Sequence, residues 1–348
     1  MLFQPAIIAL LLASLVGTMM VVASMPFAVR VLRRWDTASG SERQLEMEKR
    51  TYLVSTLLVL VLVSELASLI LFVFNADRMS ALFVGAMCAV GTLNVNDFGF
   101  PTLYLKMIVF FAASGWLVLN HVDARGHDYP LVRVKYGALM ALAPLMVTAT
   151  GVQLAYFLGL RADVIASCCS TLFSGGTQVT TDKLAAIAPE ASLAGLALML
   201  VLVLVIGRRA LVTGKGAVVY AILSMIAFLV SMEAIVAAIS IYVYELPHHH
   251  CPFCILKAEY AHVGYALYIP LFAATALGLG AGIAAPAGRI ASLSGAAPRI
   301  MRRCVGWSMA GFVLFGLLSA WLVMRSHLIL IEQSPVNSIL LNLSGGQP

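Results

Sequence analysis

The chain of 348 residues is 61% hydrophobic and only 11% charged, with a mean hydropathy of +0.96. That leaves far too little polar surface to cover a soluble globule. A net charge of +6 would suggest nucleic acid as the partner of a soluble protein. Here the basic residues lie in loops between apolar runs, so the charge is read as membrane topology and the expected partner is the lipid bilayer.

Apolar runs long enough to cross a hydrocarbon slab about 30 Å thick recur along the whole chain. They predict an all-α, polytopic transmembrane bundle of about eight spans, near 6–29, 52–74, 102–121, 136–159, 191–207, 217–243, 262–285 and 305–324. Residues 1–325 read as a single helical domain followed by a tail, 326–348, outside the membrane. The first residues carry no basic stretch, and Arg30, Arg33 and Arg34 follow the first apolar run, so that run reads as a retained helix.

Loops one, three, five and seven hold sixteen of the 22 lysines and arginines, among them Arg43, Arg133, Lys135, Arg208 and Arg303. The opposite side has Arg78, Lys106, Arg161, Lys183, Lys257 and Arg325. The positive-inside rule then puts the odd loops in the cytoplasm and both termini on the exoplasmic side, as in a multi-pass protein of a bacterial inner membrane.

In chain order, Ser41–Arg50 reads as a solvated charged helix leading into the second span. Met79–Val95, which contains Cys88, and Asp163–Phe173, which contains Cys168 and Cys169, are apolar but too short to cross. Both are expected to be interfacial or re-entrant helices in exoplasmic loops. After the sixth span comes His248-His249-His250-Cys251-Pro252-Phe253-Cys254-Ile255-Leu256-Lys257, three imidazoles and two thiols within seven residues. Five of the six cysteines thus fall on the exoplasmic, oxidising side, and Cys304 reads as a reduced cytoplasmic packing residue.

A Cys-x-x-Cys pair is a redox dithiol, half of a metal site or a structural disulfide. At a helix entry the N-terminal partial charge, with Lys257 beside it, is expected to lower the thiol pKa. The segment Cys251-Pro252-Phe253-Cys254-Ile255-Leu256-Lys257 resembles the Cys-Pro-Leu-Cys-Ile-Leu-Gln-Arg signature of the DsbB family, four-helix membrane proteins that regenerate disulfide donors by reducing quinone. The family's arginine aligns with Ala258, leaving Lys257 as the candidate quinone ligand. The resemblance implies a catalytic dithiol of Cys251 and Cys254, with electrons arriving from an exoplasmic thiol protein. Cys88, Cys168 and Cys169 are then the candidates for a second, loop-borne pair, Cys88 bonding to Cys168 or Cys169.

Ser167-Cys168-Cys169-Ser170 resembles the vicinal cysteines of MerT-type mercuric ion importers. His248, His249, His250, Cys251 and Cys254 make a ligand set suited to copper, zinc or mercury, and they imply metal transport or maturation as the alternative. A third class is a structural subunit assembled with other membrane subunits, its loops held by disulfides.

Glu65 in the second span and Glu233 in the sixth are carboxylates at membrane depth. They are candidates for proton transfer at a quinone, or for cation passage. His121 and His262 lie at opposite membrane faces, and Ile255 follows Cys254, so neither b-type nor c-type haem is supported. No glycine-rich phosphate loop is present.

Overall fold

A computed structural model describes residues 4–36, 41–161, 188–246 and 249–328. Eight of its helices are long and apolar enough to cross a membrane. They are α1 (Pro5–Arg34), α2 (Glu42–Met79), α4 (Gly99–Asp123), α5 (Val132–Leu158), α6 (Pro189–Thr213), α7 (Ala217–Tyr244), α8 (Val263–Ala287) and α9 (Ala297–Arg325). A five-residue helix, α3 (Ala89–Leu93), precedes α4. At 1.5 Å per residue, even 25 residues span about 38 Å, more than the hydrocarbon thickness. The helices therefore project past the apolar runs that betray them in the sequence.

Local chemistry sets several of their ends. Pro5 opens α1 and Pro189 opens α6 in the first turn, where a missing N–H costs nothing. Arg33 and Arg34 close α1, favourably placed at the negative end of its dipole. Gly214, with a positive φ of 68°, ends α6. The charged stretch after Ser41 forms the first turns of α2, with Arg50 and Glu46 paired at 2.6 Å across one turn. Gly99 must be glycine, because a Cβ there would lie 2.1 Å from the Leu93 carbonyl oxygen.

The spans form two four-helix units. In the first, α1, α2, α4 and α5 each pack against two others in a closed ring, and in the second α6, α7, α8 and α9 do the same. The units meet along α4 and α8. There Phe110, Phe111, Phe228 and Phe272 interlock, with Phe111 stacked on Phe272 at 5.6 Å and Phe228 edge-on to Phe272 at 4.9 Å. Leucines such as Leu12, Leu60, Leu229 and Leu317 point outward, as a lipid-facing surface requires.

Two basic residues counted above as loop charges lie inside helices. Lys106 is buried within α4, and Lys135 is buried near the start of α5. Each has a carboxylate partner, which is how a lysine survives there. Lys135 Nζ lies 2.7 Å from Asp123 and donates to Asn120 at 3.2 Å, while Asp123 also accepts the Leu131 backbone N–H at 2.9 Å. This pair ties α4 to α5 across the turn that joins them.

Candidate thiol centre

Three cysteines converge at the end of the molecule where α2 and α7 finish. The sulfurs of Cys88, Cys251 and Cys254 all lie within 4.8 Å of one another, a group capable of holding a metal ion. Cys88 and Cys254 are buried and Cys251 partly so. Cys88 Sγ and Cys251 Sγ are 3.5 Å apart, a contact and not a covalent bond.

Each element holding them has a local reason for its shape. Cys88 is the residue preceding α3, in extended backbone, with its carbonyl accepting the Gly91 N–H. The Asp77 carboxylate near the end of α2 accepts the Ala89 N–H and so anchors the start of that short helix. On the other unit, α7 passes through a π-helical segment, Ile235–Ile239, before its last α turn, Ser240–Tyr244. Such segments disturb the regular carbonyl ladder. Here the Val236 carbonyl oxygen receives the Ser240 hydroxyl at 3.0 Å and His250 Nδ1 at 3.2 Å. Glu245, with a positive φ of 55°, then turns the chain out of the helix.

Cys254-Ile255-Leu256 forms a single 3₁₀ turn, closed by the Lys257 N–H on the Cys254 carbonyl at 3.1 Å. Tyr244 donates its hydroxyl to the Cys251 carbonyl, and Tyr268 donates to the Pro252 carbonyl at 2.7 Å. His262 Nδ1 donates to the Leu256 carbonyl at 2.6 Å. Gly264 lets α8 approach this turn, since a Cβ there would meet Leu256 at 2.7 Å and Ile255 at 2.8 Å.

The Cys-x-x-Cys segment therefore does not open a transmembrane helix, contrary to the expectation above. A second 3₁₀ turn, Ala258–Tyr260, and two left-handed residues, Ala261 and His262, separate it from α8. The expected lowering of the thiol pKa is corrected with it. The Cys251 thiol is pushed up to about 12, first by its hydrogen bond with Cys254, then by burial and the Cys254 charge, against the opposing bond to Cys88. A thiol held neutral reacts through a small thiolate fraction. Alkylation of Cys251 by iodoacetamide is thus expected to accelerate about tenfold per pH unit from pH 7 to 10. A rate that levels off below pH 9, followed by peptide mass spectrometry, would contradict this.

The remaining predicted residues are dispersed. Lys257 is partly exposed and sits 3.9 Å from the exposed Glu259 carboxylate. His249 packs edge-on against Tyr244, their rings 4.5 Å apart, and its pKa is lowered by burial and then by His250. Neither His249 nor His250 belongs to the three-sulfur group. Glu65 is in the first unit, 3.8 Å from Lys106, and Glu233 accepts the Ser192 hydroxyl at 3.0 Å in the second. His248, Cys168 and Cys169, with the expected Asp163–Phe173 helix, lie outside the described residues. The expected interfacial helix over Met79–Val95 reduces to a 3₁₀ turn, Ser80–Leu82, and to α3.

Tyr244, Tyr268 and Asp77 were not singled out from sequence. The signal available was the crowding of Tyr244, Tyr260, Tyr265 and Tyr268 around the cysteines. No protein-family model, curated protein or solved structure matches the chain.

Proposed function

We propose that this multi-pass membrane protein exchanges thiols and disulfides at its three-cysteine centre, passing electron pairs between an exoplasmic thiol protein and membrane quinone. The observation that supports this reading is a group of three mutually close sulfurs, one of which interacts with both others. Cys251 touches Cys88 at 3.5 Å and shares a hydrogen bond with Cys254. An S–S bond of about 2.05 Å then needs a closure of about 1.5 Å, within reach of side-chain rotation.

In the exchange step the Cys88 thiolate attacks the Cys251 sulfur of a Cys251–Cys254 disulfide. The Cys88–Cys251 bond forms, the Cys251–Cys254 bond breaks, and Cys254 leaves as thiolate and takes up the proton that Cys88 gave up. Oxidation of the dithiol to the disulfide releases two electrons and two protons, the complement that converts a quinone to a quinol. The neutral Cys251 thiol suits a reaction in which protons travel with electrons. The resemblance of Cys251–Lys257 to quinone-reducing proteins supplies the acceptor. The positive-inside reading supplies the orientation, with the cysteine end on the oxidising face of a bacterial inner membrane.

A second reading has its own observation. Three thiolates at a metal–sulfur distance of about 2.3 Å stand roughly 3.8–4.0 Å apart, comparable to a group whose sulfurs lie within 4.8 Å. His250 Nδ1 is tied to the Val236 carbonyl at 3.2 Å, the kind of contact that orients a metal-bound imidazole. Copper, zinc or mercury would suit such sulfur ligands.

Thiol counting on the denatured protein, before and after reduction and after incubation with excess quinone, combined with elemental analysis, distinguishes the readings. The expected result is metal-free protein that reversibly loses two thiols per chain among Cys88, Cys251 and Cys254. One bound soft metal per chain, with no thiols lost to quinone, would replace electron transfer by metal handling. A permanent disulfide indifferent to quinone would leave a structural role.

A further inference from the structure

We propose that the first four-helix unit contains a proton-exchange station, in which Glu65 and Lys106 trade one proton through the Ser68 hydroxyl beside a cavity that holds one water. The inference is independent of the cysteine chemistry. Its members come from all four helices of that unit: Ser14 on α1, Glu65 and Ser68 on α2, Lys106 on α4, and Thr150 and Gln153 on α5. The Glu65 and Lys106 side chains are only 6% and 4% exposed.

The geometry places a hydroxyl between the charges. Lys106 Nζ and Glu65 Oε2 are 3.8 Å apart, too far for a direct hydrogen bond. Lys106 Nζ donates to Ser68 Oγ at 3.1 Å, and Ser68 Oγ donates to Glu65 Oε2 at 3.0 Å. A proton crosses by two coupled exchanges. The Nζ–H bond breaks as a new Oγ–H bond forms, while the original Ser68 Oγ–H bond breaks as Oε2–H forms. Ammonium and carboxylate become amine and carboxylic acid, the serine is regenerated, and net charge is unchanged. Ser68 Oγ also lies 2.8 Å from the Glu65 main-chain carbonyl, so rotation of one hydrogen opens or closes this route. In a low-dielectric interior the cost of desolvating an ion pair rivals its Coulomb attraction, which brings the charged and neutral forms close in energy.

A second observation points to a ligand. Glu65 Oε1 and Gln153 Nε2 are buried and have no hydrogen-bond partner among the described residues. Both residues line a cavity of about 10 Å³, together with Ser14, Lys106 and Thr150. That is the room one water needs, and a water bonded to both atoms would satisfy an acceptor and a donor at once. Among the described residues, Glu65 and Lys106 are the only titratable groups lining it. Polar contacts extend onward, because Ser14 accepts from Lys106 at 3.4 Å and donates to Gln153 Oε1 at 3.1 Å, and the Thr18 and Thr150 hydroxyls pair at 2.7 Å.

Infrared spectroscopy of the full chain in lipid nanodiscs, before and after transfer to D₂O, tests the station. The wild type is expected to show a protonated-carboxyl band that shifts on deuteration and is absent from Glu65→Gln. Ser68→Ala should slow deuteration of that band by about tenfold or more, and Ser68→Thr should restore it. A wild type without any Glu65-dependent acid band between pH 5 and 9 would overturn the proposal, as would wild-type exchange in Ser68→Ala. If Glu65→Gln fails to fold, the Ser68 variants, which retain both ionisable groups, decide alone.

Discussion

Cys251→Ser is expected to slow internal disulfide formation about a hundredfold relative to the other two single replacements at the thiol centre. Cys251 is the shared sulfur, in contact with Cys88 and hydrogen-bonded to Cys254. Cys254→Ser leaves the Cys88–Cys251 pair, and Cys88→Ser leaves Cys251–Cys254. Removing Cys251 takes away the sulfur in contact with Cys88 at 3.5 Å. It leaves Cys88 and Cys254, which lie within 4.8 Å of each other, just before α3 and in the 3₁₀ turn, and must be brought together by side-chain and local backbone adjustment. A misplacement of about 1 Å in a reacting pair costs on the order of a hundredfold in rate. The measurement is the loss of two hydrogens by intact-protein mass spectrometry after a mild oxidant. Serine at positions 168 and 169 keeps Cys168 and Cys169 from contributing. Equal oxidation rates in all three variants would remove Cys251 from the centre of the scheme.

Lys135→Met should destabilise the first four-helix unit by about 3–5 kcal/mol, because it strands a buried Asp123 carboxylate without its cation. The Lys135 and Asp123 side chains are 2% and 0% exposed, so solvent cannot compensate. Adding Asp123→Asn should recover most of the loss. The asparagine oxygen still accepts the Leu131 N–H that Asp123 holds at 2.9 Å, and no charge remains to be buried. A leucine at 123 should recover less, since that amide is then orphaned. Equilibrium unfolding in mixed micelles measures the series. A Lys135→Met protein as stable as wild type would mean that water reaches this end of the bundle.

The spans were legible because hydropathy averages over some twenty residues and tolerates single exceptions. The same averaging hid the exceptions. Lys106 is counted with the exoplasmic charges although it falls inside the third span at 102–121, and α4 carries it inward to face Glu65. Glu65 itself was recognised as a residue at membrane depth, but its lysine partner was invisible without the helix packing. The Cys-x-x-Cys pair announces itself locally, whereas Cys88 joins it across 163 residues of chain. The helix-entry expectation rested on the motif's place just ahead of the seventh span, near 262–285, and on its resemblance to a helix-opening signature, and Ile255 and Leu256 do not continue it into that helix. In the structure they belong to a 3₁₀ turn ended by extended Lys257 and redirected by the left-handed Ala261 and His262. Spacing and composition alone carry no sign of that backbone choice.

The two units that meet along α4 and α8 also meet at the sulfurs, since Cys88 belongs to the loop before α4 and Cys251 to the loop after α7. A bond between Cys251 and Cys254 would be a local staple, fastening one turn and adding no covalent tie between the halves. A bond between Cys88 and Cys251 would be a clasp across that interface, closing a large loop and pinning one half of the molecule to the other. Exchanging Cys251's partner from Cys254 to Cys88 would thereby turn a tie within one half into a tie between the halves, and a neighbouring membrane protein could feel the change without touching a sulfur atom.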